Sequence, residues 1–209
     1  MMPTRTLPRG LAAVVALSAL AGCISVFPKE QPAQLYRFGL ESAPTQRPAG
    51  ASATFAVLTL PTGFDRPAAS DGILTMTGNE AAYIKGSRWV GPAASLFDAA
   101  LMGAFDGHDG PARLIARGEA GRADYFLKLD VRRFEADYDH GQASAPTIVL
   151  EVYASLARAG DRDQTTQHIF QVTVPADENR AGAIASAFDQ ATRKVLGEVV
   201  AWVDSKGGG

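Results

Sequence analysis

The sequence predicts an α/β domain of the α+β type: a mixed, mainly antiparallel sheet with two amphipathic helices packed on one face. Three observations carry that expectation. Apolar residues recur at three- and four-residue spacing in two separate segments, 96–105 and 184–202. Between them, residues 124–138 alternate apolar with charged side chains, as a strand does when it buries one face and wets the other. The order is strands, helix, strands, helix, and one helical layer on one sheet would bury both apolar stripes.

The elements follow in chain order. Leu35-Tyr36-Arg37-Phe38-Gly39-Leu40 has the composition of a first strand, and residues 41–52, rich in Ser, Ala, Pro and Gly, read as a mobile loop. Residues 54–60 form a compact apolar run, a buried strand stopped by Pro61-Thr62-Gly63. Two short strands, 73–77 and 82–85, flank a Gly78-Asn79 turn. Arg88-Trp89-Val90 then leads to Gly91-Pro92, and Pro92 suits a first helical turn, where its missing N–H would be unpaired anyway. Leu96, Phe97, Ala100, Leu101, Ala104 and Phe105 give that helix one apolar face, and the Gly-containing residues 106–110 end it.

Residues 113–117 predict a short strand. In the alternating segment Tyr125, Leu127, Leu129 and Val131 share one side; Phe134 joins them only after a break in phase. Lys128, Asp130 and Arg132 take the opposite side. Strands at 147–157 and 167–174 follow, joined by the charged turn Gly160-Asp161-Arg162-Asp163, and three strands with short turns predict an antiparallel meander. Asp177-Glu178-Asn179 supply acidic and capping residues to a helix over 180–203. Its stripe is Ile184, Phe188, Ala191, Val195, Val199 and Trp202, and residues 205–209 read as a flexible tail.

The first 22 residues read as an export signal. Arg5 and Arg9 stand without acidic neighbours before a short apolar run, 11–20, and small residues follow. That run has about half of the roughly 20 residues a spanning helix needs. Leu20-Ala21-Gly22-Cys23 resembles the lipobox of bacterial lipoproteins, in which the Cys sulfur receives a diacylglycerol and the chain is cut before it. Cys23 is the only cysteine, so no intramolecular disulfide competes for it. The resemblance implies an anchor of two or more acyl chains, which holds a protein stably. Ile24, where an Asp would favour inner-membrane retention, implies delivery to the outer membrane with the domain facing the periplasm. Residues 23–34 become a lipidated N-terminus and spacer, and 35–204 the folded domain.

Removing Arg5 and Arg9 from the 20 basic residues leaves 18 against 22 acidic ones, a balance that argues against nucleic acid or an anionic lipid surface as the main partner. No nucleophile elbow, phosphate-binding loop or dinucleotide fingerprint occurs. The three histidines are His108, His140 and His168. Asp106-x-His108-Asp109 and Asp137-x-Asp139-His140 lack an established metal spacing and fall where turns favour Asp and Gly. No catalytic residue, metal ligand or cofactor is expected, and the chain is read as a non-enzyme. Arg88 and Trp89 remain as candidate interface residues, because Trp and Arg are favoured at binding hot spots, although Trp89 is as readily a core residue.

Tyr83 to Trp89 leading into the 96–101 helix, Ala123-Asp124-Tyr125-x-Leu127, Arg133-Phe134-Glu135-Ala136-Asp137-Tyr138, and Ala187-Phe188-Asp189 before Trp202 form a familiar set. On these segments the chain resembles the ABC-type transport auxiliary lipoprotein family, which includes the paraquat-inducible C lipoprotein. The resemblance spans residues 35–203 and implies no catalytic residue. It implies partners instead: ABC transporter subunits and an MCE-domain protein that together move lipids or other hydrophobic molecules between two membranes. The lipoprotein would dock that assembly at the outer membrane, with a homo-oligomer, a ring of copies, as one arrangement. Two alternatives stand beside it. The helices could cover a lipid cavity against the sheet, making a direct carrier, or the Asp/His turns could serve a periplasmic hydrolase.

Overall fold

A computed structural model of the chain describes residues 32–39, 54–115 and 121–207, apart from the side chains of residues 162 and 163. The export signal, Cys23, the 41–52 loop and residues 208–209 lie outside the described residues. Nine strands are described: β1 (Gln34–Tyr36), β2 (Phe55–Thr59), β3 (Gly63–Phe64), β4 (Gly72–Thr77), β5 (Glu80–Trp89), β6 (Ala112–Ile115), β7 (Tyr125–Asp137), β8 (Thr147–Arg158) and β9 (Asp161–Pro175). The helices are α1 (Ala93–Asp106) and α2 (Ala181–Gly207).

β7 organises the sheet. Its 13 residues span roughly 43 Å at about 3.3 Å per residue. One edge carries β8, antiparallel from Tyr125 to Asp137. The other edge is divided among β2 at Tyr125–Leu127, β3 at Asp130–Val131 and β4 at Ala136–Asp137, all parallel to it. The sheet forks there: one branch runs β2–β6, the other β4–β5–β1, and β9 extends the far side beyond β8. The sheet is therefore mixed, with the long ladders antiparallel and the short ones mostly parallel. The parallel pairings join segments remote in sequence, such as Val57 opposite Tyr125, which local alternation does not reveal.

The break in phase along β7 is a β-bulge. Val131 lies opposite Val152 and Arg133 opposite Glu151, so Arg132 is the extra residue. Before the bulge Leu127, Leu129 and Val131 are buried; after it Phe134 and Ala136 are. The slip keeps both runs on the helix-covered face and sets two consecutive arginines on the other.

Under the helices the core is largely aromatic. Phe38 packs on Trp89 at 4.9 Å and on Phe134 at 5.0 Å between centroids; Phe188 of α2 meets Trp89 at 5.2 Å and Phe134 at 4.8 Å. Phe64 joins from β3, edge-on to Phe97 of α1 and to Phe134. One contact set thus ties β3, β5 and β7 to both helices, and the hydrophobic cluster continues along α2 to Val203.

Three local expectations change. β1 ends at Tyr36, because Phe38 turns into the core and Gly39 takes a left-handed φ of 72°. β9 starts at Asp161: Gly160, at φ 90°, completes the reversal with Ala159, so Asp161-Arg162-Asp163 enters the strand rather than forming the turn. α2 runs to Gly207, so residues 205–207 of the expected tail are helical, continuing a stripe that buries Val199, Val200 and Val203.

Candidate functional site

Strand alternation separates Arg88 from Trp89. The Trp89 ring is 2% exposed, wedged between Phe38 and Phe188. The Arg88 side chain points outward, 60% exposed, with its guanidinium 3.4 Å from Asp71. Leu35, opposite Arg88 in the β1–β5 register, and Val90 are also exposed. Of the two candidate interface residues only Arg88 reaches the surface, and its apolar neighbour Leu35 is one the sequence pattern alone gave no direction for.

The histidines lie on separate elements. His108, in the turn after α1, places Nε2 2.7 Å from Asp204 Oδ2, and Asp204 Oδ1 accepts the Ala112 N–H at 3.0 Å. Asp204 thereby fastens the β6 end of the chain to the last turns of α2. His140 lies 3.7 Å from Asp139, and both are exposed. The His168 ring packs on Phe170 at 4.5 Å and near Trp202. Among the described residues no group of three or more His, Cys, Asp or Glu side chains could hold a metal ion.

The helix-free face of the sheet is polar and paired. Arg132 lies over the Tyr153 ring at 4.6 Å from its centroid, a cation–π geometry. Arg133 donates from Nε to Glu135 at 2.7 Å and also reaches Asp137. Burial would lower the Arg133 pKa, yet the Glu135 hydrogen bond and the charges of Glu135, Asp137 and Glu151 outweigh it and hold it above the ordinary arginine value. The sequence signal for this network is the phase break itself, since an inserted residue re-aims its neighbours.

A groove of about 240 Å³ runs between the helices, with Gly39, Ala100, Gly103, Thr192, Arg193 and Gly197 among its walls. Its depth is set by Gly39: a Cβ there would fall 2.4 Å from Ala100 Cβ. The Gly39 N–H donates to Asp189 Oδ1 at 2.8 Å, and the other Asp189 oxygen takes Arg193. Thr192 is fully buried, and among the described residues its hydroxyl has no hydrogen-bond partner. In the layer between helices and sheet, Phe38, Trp89, Phe134 and Phe188 are in mutual contact. Among the described residues no helix is long and apolar enough to cross a membrane.

Residues 36–200 match the family described as the ABC-type transport auxiliary lipoprotein component, and the chain belongs to that family. The crystal structure of protein XCC0632 from Xanthomonas campestris, a member of the DUF330 family, is similar at 28% identity. It covers 84% of this chain and 97% of its own, with a TM-score of 0.69. An uncharacterised protein at 12% identity shares the fold, with 83% and 99% coverage and a TM-score of 0.63. The hypothetical protein CT253 of Chlamydia trachomatis does so at 12% identity, 75% and 99% coverage and a TM-score of 0.50. No curated protein matches the chain. The family makes this a membrane-associated lipoprotein of the cell envelope that serves an ABC-type transport system.

Proposed function

We propose that the chain is a periplasmic lipoprotein, anchored in the outer membrane through lipid on Cys23, that docks an MCE-type ABC transport system for lipids or other hydrophobic molecules. The family match over residues 36–200 carries the reading. It begins a short spacer beyond Leu20-Ala21-Gly22-Cys23, and Ile24 after the cysteine supports the outer membrane. A docking role fits the interior better than a carrying one. The helix–sheet layer, which a carrier would need hollow, holds Phe38, Trp89, Phe134 and Phe188 in mutual contact. Arg88 with Leu35 is the surface we assign first to the partner, since the Arg88 side chain is accessible and flanks an exposed apolar residue.

The tagged chain, recovered from detergent-solubilised envelopes, should bring down an MCE-domain protein and ABC subunits; recovering neither would overturn the docking role. Cys23→Ala should release a folded, soluble domain. Retention with membranes would sink the anchor, and wild-type chain banding with inner-membrane vesicles would sink the outer-membrane placement.

A further inference from the structure

Two glycines from inside the helices line the groove between α1 and α2: Gly103 of α1 and Gly197 of α2. Glycine is the poorest helix former after proline, because it gives up the most backbone freedom on folding. The ordinary reason to keep one there is a neighbour that leaves no room for a methyl group. Neither residue has that reason, since a Cβ at Gly103 or Gly197 would meet nothing within 4 Å. Gly39, on the same groove, differs, because a Cβ there strikes Ala100. Both helices therefore give up stability for open space that the fold itself does not require. A second, independent feature belongs to the same walls. Thr192 lines the groove and is fully buried, and its hydroxyl has no hydrogen-bond partner among the described residues. Native structures rarely keep a buried hydroxyl unpaired, since it loses water and gains nothing in return.

We propose that this groove binds a neutral aliphatic group carrying one hydroxyl or carbonyl oxygen, with that oxygen on the Thr192 hydroxyl. Charge argues against an ion. The two titratable side chains in the walls are already taken: Arg193 pairs with Asp189, and His108 Nε2 lies 2.7 Å from Asp204 Oδ2. An ion entering beside these closed pairs would lose its hydration and find no free counter-charge. The rest of the wall is apolar and narrow, with Ala100, Ala104 and Leu196 beside the two glycines. A volume of about 240 Å³ holds about eight non-hydrogen atoms at roughly 30 Å³ each, the share of one water in the liquid. That is the size of a short alcohol. The Thr192 hydroxyl can donate or accept, so either an alcohol or a carbonyl oxygen would satisfy it. The inference stands independently of the transport reading.

Ala33–Gly209 is one compact unit with its own core, so the domain can be titrated with 1-heptanol free of detergent. At ten times its dissociation constant, heptanol should raise the Tm by about 3–6 °C and shift the amide NMR signals of Gly103, Thr192 and Gly197. Heptanoate, the same chain ending in a charge, should do neither. Thr192→Val should weaken heptanol about three- to tenfold, the factor one hydrogen bond supplies, without lowering the Tm of the free domain. Gly103→Leu sends a side chain into the open space and replaces a poor helix former by a good one. Its Tm should hold or rise while the heptanol effect disappears, and Gly197→Leu repeats the test from the other helix. No response to heptanol, or an equal response to heptanoate, would overturn the proposal. So would a heptanol effect that survives both leucine variants, because the alcohol would then sit elsewhere. If heptanol does nothing while Gly103→Leu stops the full lipoprotein from recovering its envelope partners, the proposal falls and the groove belongs to a protein side chain.

Discussion

Residues 133 to 135 put the two faces of the sheet side by side. Phe134 is 1% exposed and touches four aromatic rings, from the segment after β1, from β3, from β5 and from α2. Arg133 and Glu135, its neighbours in sequence, face away from the helices and pair with each other. On the covered face, large rings pack against one another and leave little tolerance for change. On the open face, Arg133 keeps contact with water while Glu135 is 12% exposed, and the two are held by charge rather than by shape. The docking role we propose would use both: an interior that holds its outline fixed, and a surface whose interactions are readily replaced with those of a partner.

The largest effect should therefore come from the covered face. Phe134→Ala removes the ring through which β7 meets β3, β5 and α2, and a buried Phe→Ala change costs about 3–5 kcal/mol. Chemical denaturation of the released domain would measure it; a loss below about 1 kcal/mol would mean that the rings do not tie β3, β5 and α2 to β7.

Gly39→Ala comes next. The residue sits at φ 72°, where an alanine costs roughly 1–2 kcal/mol. Its new methyl would fall 2.4 Å from Ala100 Cβ, forcing α1 to shift, and overpacking of that kind costs about 1–3 kcal/mol more. Gly39→Ala should destabilise by about 3 kcal/mol, and Ala100→Gly in the same chain should restore part of it by making room. Failure of that rescue would show that backbone strain alone sets the cost.

What the sequence made legible divides along the same line. Both helical stripes, the hairpin about Gly78 and the three-strand meander follow from local periodicity, and the structure has them. The parallel pairings of β2, β3 and β4 with β7 were hidden, because they depend on which segments meet rather than on the pattern within any one. The family membership was readable from packing residues such as Trp89, Phe134 and Phe188. Interface residues were harder. Arg88 and Trp89 look alike as a candidate pair until strand alternation puts one in the core. Asp189 stands in the familiar Ala187-Phe188-Asp189 step and Asp204 in no motif, and nothing in either position reveals the Gly39 and Ala112 N–H groups they secure. Thr192 could have been flagged, as a hydroxyl one residue from the buried Ala191 and four from Phe188 in the α2 stripe.

That threonine gives a prediction of opposite sign. Its buried hydroxyl has no partner among the described residues, and such a group costs about 1–3 kcal/mol. Thr192→Val keeps the shape and removes the hydroxyl, so it should stabilise by about 1 kcal/mol. For a domain of this size that is a rise in Tm of about 2–4 °C in a thermal scan. A fall in Tm would mean that the hydroxyl is satisfied in solution, with a water in the inter-helix groove as the nearest source.

The smallest effect should be one residue from the largest. Glu135→Gln leaves the shape of the open face intact and removes one charge from the Arg133 network. Arg133 is 38% exposed but Glu135 only 12%, so solvent screens the pair in part and the expected loss stays below about 1 kcal/mol. Screening also gives the loss a signature. It should shrink as salt rises from low ionic strength towards 1 M, where the Debye length falls to about 3 Å, whereas the loss in Phe134→Ala should not shrink. The pH dependence has a definite sign as well. The Arg133 pKa is raised in the folded state, so its contribution is fully present below the unfolded value and is lost only as pH rises through the folded one. Arginine deprotonates far above neutrality, so the Arg133 contribution should be flat between pH 6 and 9. Denaturation of wild type and Glu135→Gln at two salt concentrations and two pH values in that window would check both statements. A loss that persists in high salt would place Arg133 and Glu135 with the packed face rather than the exchangeable one.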